Sequence, residues 1–123
     1  MVTKSKKERF NETLNKLNRT GDIEGSAIVT RDGLLISSLL PPDTDAETFA
    51  AMSATMIGAA ETAVSELKKG TTNRVIVEGN DCKLIAAGVG NNAILVCMVA
   101  AQANLGFVLV EMKKSGKNIE MEL

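Results

Sequence analysis

The sequence predicts an α+β fold in the order α-β-β-α-β-β-β-α, a five-stranded and mainly antiparallel sheet with helices on both faces. Three observations carry that prediction. Two pairs of β-rich runs are joined by Arg31-Asp32-Gly33 and Gly79-Asn80-Asp81, short turn sequences of the kind that close hairpins. Ala93 to Ala100 is a continuous apolar run, as in a central strand covered on both sides, so helices are required above and below it. The stretch from Thr44 to Gly70 has the period and the end signals of one long amphipathic helix.

The elements follow in order. Ser5 with Glu8 forms a capping box, and Phe10, Leu14 and Leu17 recur at helical spacing before Gly21, which predicts a first helix near residues 6–19. Ser26 to Thr30 and Leu34 to Leu39 are the first two strands. After the long helix, Asn73 to Glu78 and Cys82 to Ala87 make the second hairpin, and Ala93 to Ala100 is the fifth strand. Asn104 can cap a last helix with Leu105, Val108, Leu109 and Met112 inward, closed by Lys113, Lys114 and Gly116. Residues 1–116 then form a single domain, and 117–123 a tail. In that tail Ile119, Met121 and Leu123 alternate with polar residues at the period of a half-buried strand, which could pair with a sheet edge.

The long helix organises the chain. Thr44 and Glu47 form a capping box after Pro41-Pro42, and Gly70 can close the other end. At 100° per residue, Phe49, Met52, Met56, Ala59, Ala60, Ala63 and Leu67 gather on one arc, read here as the core face. Ala46, Ala50, Ile57 and Val64 widen it on one side beyond the stripe of roughly 100° that a surface helix needs. That second arc is expected to meet another subunit, because small residues beside branched ones allow close helix approach.

Composition narrows the function. A chain of 123 residues supports one core without disulfide or metal staples. The net charge of −1 gives no basic footprint for nucleic acid, and the absence of Trp and Tyr removes stacking platforms. No apolar run is long enough to cross a membrane, so a cytoplasmic protein without membrane insertion is expected. The two cysteines, Cys82 and Cys97, lie in apolar strands and read as reduced core thiols. Asn11-Glu12-Thr13 and Asn18-Arg19-Thr20 match the glycosylation sequon but follow no export signal.

Histidine is absent, which removes the usual general base and the commonest metal ligand. Gly88-Val89-Gly90-Asn91-Asn92-Ala93 satisfies the relaxed dinucleotide pattern, with Glu111 at a suitable distance beyond it. That pattern must open a helix to place pyrophosphate on an N-terminus, whereas a strand follows here, so a plain turn is expected. Glu61, Glu66, Glu78 and Asp81 offer no carboxylate pair in an apolar pocket. No catalytic residue, metal or cofactor is expected. A cysteine enzyme would need a lowered thiol pKa, and Lys83 beside Cys82 should point to the opposite strand face.

With these elements in hand, the chain resembles the roadblock family of small dimeric proteins, which includes dynein light chains and bacterial and archaeal partners of Ras-like GTPases. The likeness rests on Gly25-Ser26-Ala27-Ile28-Val29-Thr30-Arg31-Asp32-Gly33-Leu34 and on Ala103-Asn104-Leu105-Gly106-Phe107-Val108-Leu109-Val110-Glu111-Met112, with a looser match at Val75-Ile76-Val77-Glu78-Gly79. It implies a roadblock or profilin-like fold and a homodimer, with paired second helices and third strands meeting edge to edge. It also implies a noncatalytic platform for a small Ras-like GTPase. The expected dimer contact is Ala46, Ala50, Ile57, Val64, Arg74 and Ile76, and the expected GTPase contact is the flank bearing Glu47, Glu61 and Ser65. The rival reading is a small-molecule-sensing or scaffold module, since such a sheet also hosts ligand pockets.

Overall fold

The computed structural model describes residues 3–123. Eight elements follow in the predicted order: α1 (Lys6–Asn18), β1 (Ile23–Thr30), β2 (Leu35–Leu39), α2 (Ala46–Glu66), β3 (Arg74–Glu78), β4 (Cys82–Val89), β5 (Ala93–Ala100) and α3 (Leu105–Glu122). Every strand pairing is antiparallel, and the sheet order is β2-β1-β5-β4-β3. The apolar run Ala93–Ala100 is therefore the central strand, as its composition requires.

Alternation along β5 divides the core in two. Ala93, Leu95, Cys97 and Val99 face α1 and α3, where they pack with Phe10, Leu14, Leu17, Val108 and Met112. Ile94 and Val96 face the other way, toward Ala50, Ala54 and Ile57 of α2. Each large aliphatic side chain buried on the first face contributes about 1.5–3 kcal/mol. Polar side chains also anchor α1 to the sheet: Asn18 donates to the Leu39 carbonyl at 3.0 Å and accepts from the Ser26 hydroxyl at 2.6 Å, and Asn11 accepts from Ser37 at 2.5 Å. The two sequon asparagines are thus both engaged with the sheet.

The caps hold with one correction. Ser5 and Asn104 accept from the Glu8 and Phe107 amides, but α2 is capped by Asp45, which accepts from the Thr48 amide at 3.2 Å. The Thr44 amide is instead held in a turn by the Pro41 carbonyl at 3.0 Å, which leaves the next carboxylate at the helix start. That amide contact lowers the Asp45 pKa. At the far end the helix is capped at Leu67, Lys68 takes the left-handed conformation at φ 54°, and Gly70 follows with φ 97°.

The C-terminal reading is corrected more deeply. Gly116 does not end α3, which runs on through Glu122, so the strand period seen in residues 118–123 is not used. Ile119 is fully buried under the α1 side of the core while Met121 is 81% exposed, a separation that a helix makes and an alternating strand does not. Arg9 pairs with Glu122 at 2.7 Å and ties the last turn to α1. Local signals for a stop lose to a buried isoleucine with a place in the core.

Candidate functional site

Helix α2 carries most of the residues to which the sequence assigns function, and its apolar arcs are set differently from those expected. Ala50 and Ile57, assigned above to the subunit contact, are 0% and 2% exposed within one chain, packed on Ala27, Val29, Ala86, Ile94 and Val96. Ala46 and Val64 flank them, half-buried. Part of the arc assigned to the core points outward: Met52 is 59% and Leu67 68% exposed and Ala59 and Ala63 are exposed, whereas Phe49 and Met56, half-buried, stay packed against the core as expected. The helix is rotated by roughly a third of a turn from the predicted setting, at 100° per residue.

The physical reason lies in side-chain size. Ala50, Ser53 and Ala54 put small groups against a sheet face of Ala27, Val29 and Ala86, so the helix sits close to the strands. Met52 in their place would hold it away. Hydropathy weighs both arcs alike and carries no information about that distance.

A polar contact accompanies this setting. Arg31, from the β1–β2 turn, donates through Nη1 to both carboxylate oxygens of Glu61 on α2, at 2.8 and 2.7 Å. The guanidinium lies over Gly88 of β4, where a Cβ would stand 2.5 Å from Nη2. Gly88 therefore makes room for the arginine, and the Gly88-x-Gly90 pattern has a packing cause. Gly90 to Asn92 form the turn into β5, as expected, and no helix opens there. In the same hairpin region Gly33, at φ 91°, brings the β1–β2 turn against α2, with its missing Cβ 3.2 Å from Ala51 Cα.

The expected GTPase flank is divided by this pairing. Glu61 was expected to be free for a partner, but its carboxylate is held by Arg31. Glu47 and Ser65 are exposed. Arg74 and Ile76 stand on β3, opposite Ala87 and Ile85, which places them on the α1/α3 side of the sheet and away from α2. β3 is an edge strand with one side unpaired in a single chain. Missed by sequence reasoning is the Arg31–Gly88–Glu61 contact, whose members lie far apart in the chain with no local signal that joins them.

The two cysteines sit in different surroundings. Cys97 is fully buried, and desolvation pushes its thiol up to about 12, the opposite of an activated nucleophile. Cys82 is half-buried and also free. Lys83 donates to the Ala101 carbonyl. Among the described residues no three Cys, Asp or Glu side chains converge as a metal site, and no helix is long and apolar enough to cross a membrane.

Comparison with known proteins agrees with the architecture. A protein of Methanocaldococcus jannaschii is 37% identical over 111 residues, covering 90% of this chain and 96% of that protein. The structure of MglB from Myxococcus xanthus superposes with a TM-score of 0.88 at 20% identity, covering 98% of this chain and 92% of that one. Profilin II from Acanthamoeba castellanii has the same fold more distantly, with a TM-score of 0.62 at 16% identity over 96% of this chain and 98% of that one. The family model described as the Roadblock/LC7 domain matches residues 9–99, from α1 through β5. The chain therefore belongs to the Roadblock/LC7 family and is an interaction module of the roadblock type.

Proposed function

We propose that this protein is a noncatalytic homodimer that binds a small Ras-like GTPase and regulates it. The observation that carries the reading is the outward arc of α2. A helix whose core face is already filled still exposes Met52, Ala59, Ala63 and Leu67 in a row along about four turns. Small residues between two long ones suit close packing against a second copy of the same helix. The unpaired edge of β3 offers a second place for the subunits to join, with Arg74 and Ile76 beside it.

The GTPase reading rests on the family resemblance rather than on a signature in the chain. Its contact surface is the flank beside the paired helices, around Glu47 and Ser65, with Glu61 holding the helix in register through Arg31. No arginine lies on α2, so stimulation of hydrolysis would proceed by ordering the GTPase's own loops and not by an arginine finger from this helix.

Titrating the protein into its cognate Ras-like GTPase, loaded with GTP or with GDP, tests the proposal. Tighter binding to one nucleotide state is expected. Equal affinity leaves a scaffold, and no binding to either state rejects the GTPase assignment in favour of a sensing or scaffold module. The dimer is tested separately by sedimentation equilibrium: the wild-type chain should be a dimer and Met52→Asp a folded monomer, and a monomeric wild type would end this reading.

A further inference from the structure

The two edges of the sheet are finished differently. β2 is bulged at Ile36, where its pairing with β1 skips a residue, and Pro41-Pro42 follow it closely, two features that keep an edge from pairing further. β3 has neither. Its five residues pair with β4 in unbroken register, and no proline or lysine stands among them. The Gly79 amide donates to the Cys82 carbonyl at 2.8 Å, so the residues bonded to β4 along the strand are Val77 and Val75. The amides and carbonyls of Arg74, Ile76 and Glu78 therefore point to the open side.

The strand reads Arg74-Val75-Ile76-Val77-Glu78, a sequence that complements itself when reversed. Antiparallel pairing of two copies about a two-fold axis at Ile76 sets Arg74 opposite Glu78 of the partner subunit at both ends. Val75 then meets the partner's Val77, and Ile76 meets the partner's Ile76. Every other symmetric register is worse. An axis at Val75 or Val77 puts a charged residue against Ile76, and an axis at Arg74 or Glu78 puts like charges face to face. Within one chain Arg74 and Glu78 stand about 13 Å apart along the strand, too far to pair with each other. Both are exposed, and Ile76 between them is 36% exposed.

We propose that Arg74 and Glu78 are the residues by which β3 selects a second copy of this chain and holds it in the one register centred on Ile76. The proposal rests on the dimer reading above and deepens it. Backbone pairing at an edge is indifferent to sequence, whereas these two charges decide both the register and the identity of the partner. A strand without opposite charges at the two positions leaves one end of β3 unpaired or repelled.

Sedimentation equilibrium of the full chain at low salt tests this. Arg74→Glu and Glu78→Arg each set like charges at both ends of the paired strands, and each should weaken self-association by about tenfold or more. The circular dichroism spectrum should stay that of the wild type, since both positions are exposed. An equimolar mixture of the two variants should associate as tightly as the wild type, and so should the double variant Arg74→Glu with Glu78→Arg, because each restores an opposite pair at both ends. Oxidation reads the register directly in a Cys82→Ser background. Ile76→Cys should form a covalent dimer, with Cα atoms about 5.5 Å apart in a hydrogen-bonded antiparallel pair, and Arg74→Cys and Glu78→Cys should not. A wild type that dimerises but is indifferent to both charge reversals, a mixture no tighter than the single variants, or cross-linking at 74 or 78 instead of 76 overturns the roles of Arg74 and Glu78 and leaves the dimer standing. A monomeric wild type overturns both.

Discussion

The two faces of the sheet are built on different principles. Toward α1 and α3 the core is thick, with Phe10, Leu14, Leu17, Ile28, Leu95 and Ile119 interlocking between two helices and the strands. Toward α2 it is thin, made of Ala27, Ala50, Ala54 and Ala86 with a few branched residues, and the helix is steadied by the Arg31–Glu61 contact over Gly88. The thick face buries the inward sides of α1 and α3 and leaves Phe107, Val110 and Met121 on the outer side of α3 exposed. The thin face covers its strands with one side of a helix and leaves the other apolar side in solvent. The two faces thus differ in the thickness of their cores, and on the thin one the exposed apolar residues of α2 form a row along the helix.

If α2 carries two functionally separate arcs, a charge on each should act differently. Ile57→Asp places a carboxylate in the thin core with no partner and is expected to cost more than about 4 kcal/mol, enough to unfold a marginal domain. Met52→Asp on the outer arc should shift the folding midpoint by far less while changing the oligomeric state. Urea denaturation followed by circular dichroism measures both, and comparable destabilisation by the two variants would erase the distinction between the arcs.

The thick and thin faces can also be compared by truncation. Leu14→Ala should cost about 2–5 kcal/mol, because a fully buried leucine leaves a cavity among side chains that relax only in part. Ala50→Gly on the thin face removes one methyl group and adds helix entropy, at about 1–2 kcal/mol. Equal losses at the two sites would show that the thin face is not thin energetically.

The smallest effect concerns the Arg31–Glu61 contact beside α2. Gly88→Ala pushes the flexible Arg31 guanidinium aside and so loses its pair with Glu61, a cost of about 1 kcal/mol for a half-exposed ion pair. Once Arg31→Met has removed the guanidinium, Gly88→Ala should cost almost nothing further. A double-mutant cycle reads this directly, and strictly additive losses would mean that the two residues do not act through each other.

The local elements were legible because each carries its own chemistry. Asp-Gly and Gly-Asn-Asp turns closed the two hairpins, Ser5 and Asn104 capped their helices, and the uninterrupted apolar run of β5 announced a strand buried on both faces. These signals involve neighbours in sequence, and the energies that produce them are short-ranged. The relaxed dinucleotide pattern was likewise settled locally, by the strand that follows it.

What the chain does not announce is any choice between alternatives of equal hydropathy. Both arcs of α2 are apolar, and the selection of Ala50, Ala54 and Ile57 for the core was made by how closely a helix can approach a sheet face of alanine and valine. The continuation of α3 past Gly116 was decided in the same way, by a vacancy for Ile119 under α1 and an ion pair from Arg9 to Glu122, whose α1 partners are far from the glycine in sequence. Residue order sets periods, caps and turns through contacts between neighbours. Which apolar side faces inward, and where a helix stops, depends on the volume left by elements distant in the chain, and only the assembled tertiary structure defines that volume.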